Sequence, residues 1–92
     1  MGQSKAANLA ADFGKRLELA RLRKYSSASA FARALGIEVA ETYRCYERGD
    51  SEPNLATLAA IALDLDVSLD HLILGDVPQP REAGRGKGLR LQ

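Results

Sequence analysis

The stretch that decides the fold is GIEVAETYRCYERG, Gly36 to Gly49. Its spacing predicts a helix from about Val39 to Arg48. Val39, Tyr43 and Tyr46 fall at helical spacing and can pack inward. Glu41, Arg44, Cys45 and Arg48 recur at i, i+3, i+4 and i+7 and form a polar stripe on another side. A short helix anchored by two aromatics and offering such a stripe suits a DNA groove. The major groove is about 12 Å wide and admits one helix, whose outer side chains then meet base edges. An ordinary amphipathic helix with a solvated outer face shows the same pattern. The neighbouring segments have to separate the two readings.

Immediately upstream, Ser26 or Ser27 can cap a helix of about Ala28 to Leu35, packed through Phe31, Ala32 and Leu35. Gly36 ends it, as a glycine at the left-handed position past a helix should. Two short helices joined by a glycine-containing turn make the helix-turn-helix outline. Further upstream, Asn8 can cap a helix reaching about Lys24, with Asp12 near its positive end. Leu9, Phe13, Leu17 and Ala20 repeat at helical spacing and form its buried face. Lys15, Arg16, Arg23 and Lys24 read most simply as solvated.

Downstream, Gly49 closes the central helix, and Asp50 to Asn54 is a loop with strong turn chemistry. Asn54 can cap a fourth helix reaching about Leu65. Leu55, Leu58, Ala59, Ile61, Ala62 and Leu65 give it a broad apolar face, so it is expected to be the most buried helix. Ser68 caps a fifth, about Leu69 to Leu74, with Gly75 just past its end. Leu72 and its neighbours Leu69 and Ile73 can be core, or can form a dimer patch with Leu74. The expected organisation is a flexible leader at 1–7, one all-α five-helix domain at 8–75 and a flexible basic tail at 76–92.

Composition narrows the class. The chain has 92 residues, 46% hydrophobic but only 5% aromatic, so the core is expected to be aliphatic. No apolar run approaches the roughly 18 residues of a membrane span, and no signal-peptide region is evident. Cys45 is the single cysteine, so no internal disulfide can form and a cytoplasmic location is expected. There is no His/Cys cluster for a metal and no phosphate-cradling glycine loop. No nucleophile–base pair stands out either, so no cofactor, small-molecule substrate or enzymatic activity is expected. His71 is a lone histidine on the last helix. The net charge is only +1 but is polarised. Residues 1–48 hold nine basic and five acidic side chains, residues 49–76 hold six acidic and none basic, and residues 77–92 hold four basic and one acidic. That distribution would orient the chain in the field of a polyanion, basic portion inward.

The segments FGKRLELARLRK, FARALGI, YRCYERGDSEPNLATLAAIA and VSLDHLILG together resemble the lambda-repressor-like helix-turn-helix family, over about residues 9–75. The resemblance implies an all-α domain that binds double-stranded DNA as a transcriptional regulator, as a homodimer reading two half-sites. It implies a buried ion pair between Arg21 and Glu47. It places base contacts at Ala40, Glu41, Arg44 and Cys45, and phosphate contacts at Ser27, Ala28, Ser29 and Arg48. Arg44 is the strongest of these, since arginine bidentate to guanine is the commonest specific contact. Glu41 can accept from a cytosine amino group or pair with Arg44.

Several positions depart from the family pattern. The family's phosphate-binding glutamine is Ala28 here, with Ser27 and Ser29 beside it. The interval from Gly36 to Glu47 is one residue longer than usual. Asp50 and Glu52 put negative charge in a loop that often approaches phosphate, and Asp66 stands where the family usually has glycine. These departures keep a second class open, a protein-interaction module such as an antitoxin or adaptor that retains the fold and takes a protein partner.

Overall fold

The structure is a computed structural model and describes residues 5–75. The expected tail and the first four residues of the expected leader lie outside the described residues. Five helices follow one another: α1 (Lys5–Leu22), α2 (Ala28–Ala34), α3 (Ala40–Arg48), α4 (Leu55–Leu65) and α5 (Leu69–Leu74). Among the described residues there is no strand. None of the described helices is long and apolar enough to cross a membrane.

Local chemistry explains the boundaries. Ser27 Oγ accepts from the Ala30 amide at 3.0 Å, Asn54 Oδ1 from Thr57 at 2.8 Å and Ser68 Oγ from His71 at 3.0 Å. Each hydroxyl or amide oxygen thereby satisfies one of the donors that a helix leaves unpaired in its first turn. Gly49 ends α3 in the left-handed region at φ 80°. Asp66 ends α4 at φ 56°, ψ 49°, so aspartate fills the conformation that glycine usually supplies.

Helix α1 begins at Lys5, ahead of the expected cap, so Asn8 lies inside it. It stops at Leu22 rather than near Lys24. The amides of Lys24 and Tyr25 both fold back on the Arg21 carbonyl, at 2.9 and 2.6 Å, which closes the helix early.

The core is not purely aliphatic. Phe13, Leu17, Phe31, Tyr43, Ile61 and Leu72 are all buried. Tyr25 stacks on Phe31 with ring centroids 4.9 Å apart, and Phe31 meets Tyr43 edge-on at 5.3 Å. Few aromatics suffice because they converge on one place, the junction of α2, α3 and the end of α1.

Helix α4 also differs from expectation. Ile61 and Leu65 are buried, but Leu55 is 79% exposed and Leu63 82%. With the exposed Ala59 between them they form an outward apolar stripe at i, i+4, i+8. The helix is apolar on nearly all sides, so apolar periodicity alone could not say which side faces the core. Leu9, expected on the buried face of α1, is exposed as well.

Two cations expected to be solvated instead tie elements together. Arg16 donates from Nε to the Leu72 carbonyl at 3.0 Å and from Nη2 to the Ile73 carbonyl at 2.8 Å. It therefore satisfies two carbonyls at the end of α5. Lys24 Nζ reaches the Asp64 carboxylate at 3.0 Å and its carbonyl at 2.8 Å, and the Tyr25 hydroxyl donates to the same carboxylate at 2.9 Å.

Candidate nucleic-acid interface

The inner side of α3 is locked to α1. Arg21 Nε donates to Glu47 Oε2 at 2.6 Å and Arg21 Nη2 to Oε1 at 3.3 Å, with 7% and 11% of the two side chains exposed. The buried Tyr43 hydroxyl donates to Oε2 as well, and Arg21 Nη1 donates to the Tyr25 carbonyl at 3.1 Å. The Glu47 hydrogen bond holds the Arg21 guanidinium above its ordinary pKa. Burial, then the bond to Glu47, pushes the Tyr43 phenol well above its own. Every charge in this cluster is paired, which is what a buried ionic group requires.

Two glycines bring the backbones together. Gly14 on α1 is buried against the carbonyl of Glu47, and the half-buried Gly49 lies close to the backbone of Ala11. A side chain at either position would separate the helices. Val39 was expected to pack inward with Tyr43. It is the residue before α3, in extended conformation at φ −104°, ψ 108°, and it is exposed. Ala40 takes the inward place and packs against the core, half-buried.

Glu41, Thr42, Arg44 and Arg48 face outward from this fixed helix. Arg44 Nη2 donates to Ser29 Oγ at 2.8 Å, which joins the outer face of α3 to the start of α2. Ser27 is occupied as the cap of α2, and Ala28 packs half-buried on the core. Glu41 was expected to choose between a base and Arg44. Its closest partner is Arg48, at 2.6 Å, and Arg44 stands off at 3.7 Å. Arg48 also donates from Nε to Asp50 Oδ2 at 2.9 Å and from Nη2 to Cys45 Sγ at 3.3 Å. The Arg48 guanidinium holds the Glu41 carboxyl below the usual carboxylate range. A shallow groove bordered by Ser29, Arg33, Gly36, Glu38 and Ala40 crosses the turn between α2 and α3.

The structure thus brings Ser29, Glu41, Arg44, Cys45, Arg48 and Asp50 into one polar surface, with Ser27 at its edge. The sequence reading missed Thr42, whose outward position is not part of the i, i+3, i+4, i+7 stripe. It also missed Asp50 as a partner of Arg48, because that contact crosses the end of the helix. Among the described residues, no group of three or more His, Cys, Asp or Glu side chains is placed to hold a metal.

A helix-turn-helix family model matches residues 17–72, from the buried Leu17 to the buried Leu72. The chain belongs to the lambda-repressor-like helix-turn-helix family. As a member of that family it is an all-α DNA-binding domain in which α2 and α3 form the helix-turn-helix. An uncharacterized HTH-type transcriptional regulator, YqaE of Bacillus subtilis (strain 168), is 39% identical over 64 residues, 70% of this chain and 54% of the relative. The chain therefore spans about half the length of that relative. No solved structure matches.

Proposed function

We propose that the chain is a sequence-specific double-stranded DNA-binding transcriptional regulator. In this reading α3 lies in the major groove, with Arg44 and Glu41 toward base edges and the start of α2, at Ser27 and Ser29, against the backbone. The observation that carries the reading is the hydrogen bond from Arg44 to Ser29. It makes the outer face of α3 and the first turn of α2 one continuous polar surface, on helices whose inner faces are fixed by the core. The action is non-catalytic and takes place in the cytoplasm, at the nucleoid.

Two copies reading related half-sites complete the proposal, since one small domain presents few base contacts. The Leu69–Leu74 patch offers little for this. Leu72 is buried, Leu69 and Ile73 are half-buried, and only Leu74 is well exposed. The stripe of Leu55, Ala59 and Leu63 on α4 is the larger exposed apolar surface and supports association better.

Binding to a pool of random duplex DNA at low and moderate salt, followed by sequencing of the retained fraction, tests the proposal. An enriched motif with two related half-sites is the expected result. Weak retention that vanishes with salt and shows no motif would overturn sequence reading. It would leave the interaction-module alternative, for which the internal pairing of Arg48 with Glu41 and Asp50 is the favouring observation.

A further inference from the structure

We propose that Asp50 is an internal stand-in for a DNA phosphate, which DNA must displace from Arg48 before that arginine can contact the backbone. The inference rests on the DNA-reading function above and concerns how strongly the chain holds DNA of any sequence.

Arg48 sits in the last turn of α3, and Asp50 follows just past the glycine that ends it. Gly49, at φ 80°, turns the chain so that the Asp50 carboxylate comes back to Arg48 Nε at 2.9 Å. Glu41, two turns earlier on the same helix, takes Nη2 at 2.6 Å. Two carboxylates thus occupy two donor nitrogens, Nε and Nη2, of one guanidinium fork. A phosphate would use those same donors, because carboxylate and phosphate both accept two parallel N–H bonds from arginine. The side chains of Arg48, Glu41 and Asp50 are about half exposed, at 48%, 57% and 60%, so the cluster faces solvent and an incoming duplex can reach it.

The carboxylates compete from the same chain and lose no translational freedom when they bind Arg48. Backbone contacts supply most of the affinity for DNA of arbitrary sequence. An arginine already neutralised from within adds little to that affinity. Its pairing with Glu41 carries a second consequence. When a phosphate takes Arg48, the Glu41 carboxylate loses its closest partner beside the groove. A cytosine amino group can replace that partner, and a site without such a donor leaves the carboxylate only its longer 3.7 Å pairing with Arg44 among the phosphates. Release of Arg48 is therefore better tolerated on some sequences than on others. Asp50 holds down the sequence-independent part of binding, and Glu41 links the backbone contact to the base.

The test uses Asp50→Asn, Arg48→Gln and the double variant, with a random-sequence duplex as probe over a range of salt. The expected result is that Asp50→Asn tightens binding on the order of threefold to fivefold, the scale of one exposed ion pair. The log–log salt slope should also steepen by about 0.9, one additional phosphate. In the Arg48→Gln background Asp50→Asn should change neither quantity. An equal gain with and without Arg48 would overturn the proposal, because Asp50 would then act by simple repulsion of DNA. An unchanged slope would overturn it too. The clamp is also read without DNA, through the NMR signal and solvent exchange of the Arg48 Nε proton. That proton should exchange faster in Asp50→Asn, and no change would remove the contact on which the proposal stands. If the clamp is present and no variant retains duplex at low salt, the failure lies with the DNA-reading function instead.

Discussion

A Cβ added at Gly14 would stand 2.2 Å from the carbonyl oxygen of Glu47 and 2.7 Å from its carbonyl carbon. The obstacle is backbone, so no rotamer change can relieve it. Helices α1 and α3 must separate to admit even one methyl group. Overpacking of this kind costs about 1–3 kcal/mol and more where the backbone has to move. Gly14→Ala should therefore unfold at clearly lower urea than Glu18→Ala, which changes an exposed residue of the same helix. Equal midpoints would show that the two helices are not in backbone contact.

Removal of one partner from the Arg21–Glu47 pair leaves the other charge buried without compensation. Arg21→Met or Glu47→Leu should each cost about 3–5 kcal/mol of stability. The double replacement should cost much less than the sum of the two. A double-mutant cycle in denaturant measures the difference, and additive losses would mean that the pair carries no coupling.

Tyr43 sets the behaviour in alkali. Its folded-state pKa is raised, first by burial and then by the hydroxyl's bond to Glu47. In the unfolded chain a tyrosine ionises at about 10. Below that value both states hold the proton and the contribution to stability is complete. Above it the unfolded state binds fewer protons than the folded one. Stability then falls by up to about 1.4 kcal/mol per pH unit until the folded-state pKa is reached. Thermal melts from pH 8 to 11 should show this decline, and Tyr43→Phe should flatten it. An equally steep decline in the variant would assign it to other groups.

Arg44→Ala should weaken binding to the selected motif by about 1–3 kcal/mol and relax preference at one base pair. Ser29, which accepts from Arg44 at 2.8 Å, offers an internal comparison. If Ser29 contacts phosphate, Ser29→Ala should weaken all sequences alike and leave the salt slope unchanged, because a neutral hydroxyl releases no counterion. Repeated selection on the random pool reads both. An unchanged base preference in Arg44→Ala would remove Arg44 from recognition.

Leu63→Lys places a charge at the C-terminal end of the exposed α4 stripe. Its side chain is 82% exposed in the folded domain, so stability should change by less than about 0.5 kcal/mol. Binding to a single half-site should survive, while the advantage of two half-sites on one duplex should fall. Sedimentation at increasing concentration, with and without the paired site, reads the two effects. An undiminished advantage would move association to another surface.

Much of the helix order could be read directly from the chain, and the reasons are local. Ser27, Asn54 and Ser68 cap the helices they precede, and Gly49 ends α3 in the left-handed region. These are contacts over three or four residues, which sequence spacing encodes. Contacts that cross the fold were less legible. Arg16 looks like any surface cation until the carbonyls of Leu72 and Ile73 are beside it. The side of α4 that turns outward depends on where the other helices leave room, and the two polar residues of α4, Thr57 and Asp64, are both half-buried and so do not mark the outer side. Tyr43 and Tyr46 were legible as anchors of α3, but Val39 was not placed correctly, because a helix that starts one residue later rotates that position out of the buried face. At the candidate interface, the polar stripe was visible as a pattern. The pairing within it was not, because Arg48 chooses between partners by side-chain reach rather than by spacing.

The bonds from Arg16 to the carbonyls of Leu72 and Ile73 span 56 and 57 positions of the chain. They set an order of events during synthesis. Helix α1 leaves the ribosome first, and its inner surface is completed by α3 and α5, which are made afterwards. At about 5–20 residues per second, the ribosome needs roughly 3–11 seconds to deliver the far end of that contact. Over that interval the apolar residues of α1 have α2, α3 and α4 beside them in turn, but not α5. The nascent domain therefore passes through a stage at which α2 and α3 exist without the element that closes the core behind them. Chaperones that recognise Leu-rich helices have their opportunity in that interval, and a stop codon placed before Leu72 would make the stage permanent.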